Sequence, residues 1–382
     1  MDRSSLVPPC FLAPYSSNEP FTTLLSGQRQ FQYAPQLRSL STPKRPRPCC
    51  QTIVCTAEPS AKQSKIPPPS STSASDETKL ASPPSTFYQA ITDAQQATMQ
   101  AINAGNQLIE IEFPPLPTQV MESTSVSSYD VSDANLRLAI DYAKKFISKD
   151  NPSEEVVIVL PDWIEKKRAM DMYNSTEQLQ KGLRLGCIKD EKKAGFFERI
   201  WVKSEIDIAI RPNDKMYIII NVTTQELPDV ERLFQKIPSN TPLVLFNLKL
   251  DSCRGDLGLP AFPKRAFHYR FLSKVQPIYY LRTRSYSRSM ARPPYVVNYS
   301  GALFKVFPGD YQILLDQSGG KYRRVSWTKE RPTLGEVRDE LTDALNVEGL
   351  KGKNSGFLGR GYKSSTWWED DRTKQESNKW RE

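Results

Sequence analysis

A chain of 382 residues with a formal net charge of +9 has room for one large or two small domains. Hydrophobic residues make up 38% and there are 30 prolines, and both departures from the globular average gather at the N-terminus. The longest apolar runs, "VVIVL" (156–160) and "MYIIINV" (216–222), have strand length, well short of the roughly 20 apolar residues of a spanning helix, so a soluble or peripheral protein is expected.

Charge is unevenly spread. Leu257 to Gly309 holds no Asp or Glu but contains Lys264, Arg265, Arg270, Lys274, Arg282, Arg284, Arg288, Arg292 and Lys305. The remainder beyond the N-terminal tail is mildly acidic, so the chain is dipolar rather than uniformly basic. Cys10, Cys49, Cys50 and Cys55 lie in the tail, leaving Cys187 and Cys253. Neither a disulfide framework nor a metal spacing results, and a reduced compartment is expected.

Residues 1–57 are rich in Ser, Thr, Pro and Gln, poor in acid and dotted with Arg. They lack the apolar core of a secretory signal and read as a chloroplast transit peptide, cleaved near Cys55–Ala57, with a plain disordered tail as the alternative. Residues 58–84 carry almost no large apolar side chains and read as a disordered linker.

The α/β domain is placed at residues 85–347. "STFYQAITDAQQATMQAINAGN" predicts a Ser- or Thr-capped helix ending at Gly105. "IEIEFPPLP" (109–117) alternates and then stops at prolines, a short strand. "SDANLRLAIDYAKKFISKD" (132–150) predicts an amphipathic helix capped by Ser132 or Asp133. "EVVIVLPD" (155–162) predicts a strand buried on both faces, and "IEKKRAMDMY" a helix. "KAGFFERIWV" (193–202) is ambiguous. "IDIAI" (206–210), "KMYIIINV" (215–222) and "PLVLFNLKL" (242–250) read as strands, with a helix at "PDVERLFQKI" (228–237). This alternation implies a largely parallel sheet with flanking helices. From 277 to 328, short runs joined by tight turns, including "SGG" at 318–320, predict an antiparallel meander. "TLGEVRDELTDALN" (333–346) predicts a last helix with Thr333 and Glu336 as a capping box. Residues 348–382 form a Trp-containing C-terminal tail.

Chemistry is sparse. No phosphate-cradling glycine motif follows a strand, and "GFLGRGYKSS" (356–365) has the wrong spacing. The single histidine, His268, reads as a packed or surface residue on a short helix rather than a catalytic one. No catalytic residue, cofactor or metal is therefore assigned, and a non-enzyme is expected. Asp162, Asn221 and Asn247 end probable strands, and with Asp251 they outline a conceivable crevice, although helix and turn capping explains them more simply.

The stretch "YYLRTRSYSRSMARPPY" (279–295) interleaves Arg282, Arg284, Arg288 and Arg292 with tyrosines. Such a surface suits a protein partner, anionic lipid, RNA or a solvated sheet face. Alternation places Ile278, Tyr280, Arg282, Arg284 and Tyr286 on one side, as in a half-buried strand, and no RNA-binding motif accompanies them. Protein docking is the better reading, with Arg282, Arg284, Tyr286, Arg288 and Arg292 as partner-binding candidates. Trp367 and Trp368 join them, since adjacent exposed aromatics need cover from a partner or from the protein's own core.

Together, "FPPLP", "VIVLPD", "TPLVLFNLKLDSCRGDLGLPAFP", "FHYRFLSKVQPIYYLRTRSYS", "NYSGALFKVFPG" and "GYKSSTWWED" resemble a plastid and cyanobacterial family, domain of unknown function nineteen-ninety-five. The resemblance runs from about residue 85 to the end. It implies a chloroplast assembly factor assisting photosystem II biogenesis, binding a chlorophyll-binding core antenna subunit or its insertion partners. Other assembly factors or a thylakoid insertase are further implied partners, in the stroma or peripherally on the stromal face of thylakoids. It supplies no catalytic residues. An RNA-binding regulator of plastid translation is the alternative; nucleic acid is otherwise not expected as a partner.

Overall fold

A computed structural model describes residues 80–121, 123–147, 153–174, 181–189, 208–289, 295–317, 321–345 and 365–370. The expected transit peptide, nearly all of the expected 58–84 linker, "KAGFFERIWV", "SGG" and Arg292 lie outside the described residues, as do residues 348–382 apart from 365–370.

Nine strands are found among the described residues: β1 (Leu108–Glu112), β2 (Glu155–Asp162), β3 (Leu183–Lys189), β4 (Asp214–Ile219), β5 (Leu243–Phe246), β6 (Gln276–Ser289), β7 (Val296–Val306), β8 (Tyr311–Asp316) and β9 (Tyr322–Thr328). They share one sheet in the order β3-β2-β4-β5-β1-β6-β7-β8-β9. From β3 to β6 every pairing is parallel, and from β6 to β9 every pairing is antiparallel. The expected fold class, a largely parallel sheet with flanking helices followed by a meander, is the one observed.

One face carries α1 (Phe87–Asn103), α3 (Ser128–Lys144) and α4 (Trp163–Asn174). The short α2 (Thr118–Met121) buries nothing. In α1 the small residues Ala90, Ala94, Ala97 and Ala101 recur at helical spacing and let the helix approach the sheet closely. The Thr86 hydroxyl caps it by accepting from the Gln89 amide at 3.1 Å. Tyr142 of α3 is fully buried, and its hydroxyl meets that of Thr98 in α1 at 2.6 Å, so the polar tip is satisfied where the two helices meet.

The other face carries two separate packs. The parallel half is covered by α5 (Leu227–Lys236), α6 (Leu250–Asp256) and α7 (Ala266–Arg270). The antiparallel half is covered by α8 (Leu334–Ala344), whose Val337 and Leu341 sit on Leu303, Ile313 and Leu315. Between the packs runs a trough, floored by β1, β6, β7 and β8.

Several expectations are corrected. Helix α3 starts at Ser128, and its cap is Ser127, in a capping box with Asp130, rather than Ser132 or Asp133. The expected strand at 206–210 is absent among described residues 208–210; Ile208 instead packs over Gly186 in β3, a strand the sequence did not signal. Strand β5 ends at Phe246, not 250, because Asn247 and Lys249 adopt positive φ and turn the chain into α6. Thr333 and Glu336 do form the capping box of α8.

Candidate functional site: a charged trough in the sheet

Strand β1 reads Leu-Ile-Glu-Ile-Glu, and all five residues are buried. Alternation sends Ile109 and Ile111 to the α1 side and Glu110 and Glu112 into the trough. A one-residue bulge in β6 opposite Glu110/Ile111 sets the register of the floor. It turns Ile278 into the α1-side core with Tyr279 and Leu281, so Ile278 does not share a face with Tyr280 as alternation suggested. Beyond the bulge Glu112 lies opposite Tyr280, and Arg282 follows on the same side.

Asp251, in the first turn of α6, is the hub. Its Oδ1 accepts from Arg254 at 2.9 Å, and its Oδ2 accepts from the Tyr280 hydroxyl at 2.9 Å and from Arg331 at 2.5 Å. Arg282 lies 3.3 Å from the same Oδ2 and 3.2 Å from Glu112 Oε1. Burial works against the Asp251 ion, but Arg331, Arg254 and Arg282 outweigh it and hold the carboxyl far below its ordinary range. Glu112 goes the other way: burial pushes it up to about 7 against the pull of Arg282. Burial also raises Glu110, against the weaker attraction of Arg254. Glu110 is 1% exposed, and neither of its carboxylate oxygens accepts a hydrogen bond.

The C-terminal segment 365–370 lies over this trough. The Trp367 indole N–H donates to the Arg254 carbonyl at 3.2 Å, its ring meets His268 edge-on at 5.4 Å, and the Arg265 guanidinium stands 5.0 Å over it. The next residues, Trp368 and Glu369, line two clefts. One, of 530 Å³, contains Glu110, Arg254, Tyr311 and Arg331; the other, of 390 Å³, contains Asp251, Arg282, Arg284 and Tyr286. The cover for Trp367 is thus the protein's own surface.

The partner-binding candidates are divided by this geometry. Arg282 is 26% exposed and tied to Glu112 and Asp251 inside the trough. Tyr286 is buried and stacked on Tyr299 at 5.4 Å beneath α8. Arg284 and Arg288 are half-buried on the same strand, and Arg292 lies outside the described residues. Pairing with β1 stops at Tyr280 and pairing between β7 and β8 stops at Gly301, so Thr283–Ser289 and Val296–Ser300 continue as a two-stranded ribbon. Near its tip Tyr295 is 64% exposed and Val296 55%.

The conceivable strand-end crevice exists only in part. Asn221 and Asn247 are joined through Asn135, by contacts of 2.9 Å each, in a cleft of 370 Å³. Asp162 instead caps α4 by accepting from the Glu165 amide at 2.9 Å, and Asp251 belongs to the trough. His268 does sit on the short helix α7. Cys187 and Cys253 are buried thiols that share no disulfide. Among the described residues no helix is long and apolar enough to cross a membrane, and no group of three His, Cys, Asp or Glu is arranged to hold a metal.

Sequence reasoning missed Glu110, Glu112, Arg254 and Arg331. The available signal was "LIEIE" itself, two acids at alternate positions of a strand that ends up in the middle of the sheet.

The architecture defines a class: α/β proteins whose sheet changes from parallel to antiparallel at β6, with an ionic trough beside the change. A family model described as a domain of unknown function (DUF1995) matches residues 84–339, more than half of the chain, and the chain belongs to this family. No curated protein and no solved structure matches the chain.

Proposed function

We propose that the chain is a non-catalytic assembly factor of the chloroplast, assisting photosystem II biogenesis. In this reading it binds a chlorophyll-binding core antenna subunit, or the assembly factors and thylakoid insertase that handle it, from the stroma or the stromal face of thylakoids. The resemblance behind it is to the chloroplast protein Low PSII Accumulation three. The observation that carries it is the β6–β7 ribbon, which runs beyond its sheet neighbours with Arg288 on one strand and exposed Tyr295 and Val296 at the start of the other. Basic and aromatic side chains on a projecting ribbon favour an acidic protein partner, with charge setting approach and aromatics supplying contact.

Affinity capture from solubilised chloroplasts, with and without nuclease, tests this. Photosystem II subunits and integration factors are expected in both cases. Combined Arg288→Glu and Tyr295→Ser are expected to cut capture at least about fivefold, or roughly 1 kcal/mol, in a variant whose unfolding remains cooperative. Arg282 is left untouched because reversing its charge breaks the trough. A catch of ribosomes or transcripts that disappears with nuclease replaces the proposal with the RNA-binding reading.

A further inference from the structure

The 530 Å³ cleft holds a feature that the fold does not explain. Glu110 lines it and is almost fully buried, yet both oxygens lack a hydrogen-bond donor. Buried carboxylates are ordinarily bonded. The nearby guanidiniums of Arg254 and Arg331 are committed to Asp251, one to each of its oxygens. Glu110 is therefore an acceptor in the cleft that these guanidiniums leave without a donor.

The surroundings point the same way. Tyr269 and Trp368 line the cleft together with Tyr311, whose ring already faces the Lys305 ammonium at 4.2 Å, and Glu369 adds a second carboxylate. Aromatic faces beside carboxylates attract cations. The volume suits a small molecule. A carboxylate with both oxygens available is matched by a planar head presenting two parallel N–H groups.

We propose that this cleft binds a small flat cation with a paired N–H edge, an amidinium or guanidinium, with Glu110 receiving both N–H groups and Trp368 forming the cover. This site is separate from the β6–β7 ribbon, so it stands or falls independently of the partner reading above.

Calorimetric titration of the full chain with benzamidine, with benzoate as the comparator, is the test. Saturable one-to-one binding of benzamidine is expected, with benzoate much weaker. Glu110→Gln is expected to weaken benzamidine roughly tenfold or more. Tyr269→Ala, at a position 43% exposed on the rim, is expected to weaken it several-fold, and it carries the test should Glu110→Gln fail to fold. Absence of saturable binding, binding unchanged in the variants that fold, or benzoate binding at least as tightly as benzamidine overturns the proposal.

Discussion

Glu112 and Asp251 lie in one network, yet pH acts on them in opposite directions. In the folded chain Glu112 ionises at about 7, against 4.5 as the ordinary value. Between those values the folded state keeps a proton that the unfolded state has released, so stability falls as pH rises and levels off above about 7. Asp251 is held below its ordinary 3.8, so its contribution is present above that pH and is lost as pH falls below it. The denaturation midpoint is expected to peak in mildly acidic solution. Glu112→Gln is expected to flatten the loss between pH 5 and 7.5 by about 1–3 kcal/mol. A parent and a variant with superimposable pH curves would contradict the burial described. These residues were poorly legible in sequence for a physical reason. Alternating Ile and Glu in "LIEIE" is the pattern of a strand wet on one side. The ions that allow the acids inside, Arg282, Arg254 and Arg331, come from β6, α6 and the entrance to α8.

Local chemistry marked some elements well. Thr333 and Glu336 announced the start of α8 because a capping box is complete within four residues. "EVVIVLPD" announced β2 at its observed bounds because a strand buried on both faces needs only a continuous apolar run. Strand β3 escaped because Arg184 and Gly186 interrupt its run, and the space beside Gly186 is filled by Ile208 and Val157, which lie elsewhere in the chain. The docking of α8 on the meander depends on one residue. A Cβ on Gly301 would stand 2.4 Å from the Leu314 carbonyl oxygen and 2.7 Å from Leu341 Cδ1. Neither the backbone of β8 nor the core-facing leucine has room to yield. Gly301→Ala is expected to lower stability by about 1–3 kcal/mol, with overpacking as the cause, read from urea unfolding. A variant as stable as the parent would mean that α8 sits farther from β7 than described.

Across the molecule, the trough is where two helix packs fail to meet, and Trp367 joins the C-terminal segment to one wall of it. Trp367→Ala removes a ring contact, a guanidinium contact and a hydrogen bond to Arg254 together. A loss of about 1–3 kcal/mol is expected in urea unfolding, below the cost of a fully buried tryptophan. No loss would mean that the segment does not dock in solution. The fold class was legible because alternating strands and helices followed by short paired runs leave few topologies. The strand order was not, since β1 pairs with neighbours far along the chain: Leu108 lies opposite Leu243, and Ile111 opposite Tyr279. A chain that emerges N-terminus first exposes β1 with both hydrogen-bonding edges vacant until residues 243–246 and 276–280 follow. An apolar strand left waiting in that way would recruit other copies. Glu110 and Glu112, ionised in water before the sheet closes, give the waiting strand mutual repulsion, and they surrender that solubility only when their arginines arrive.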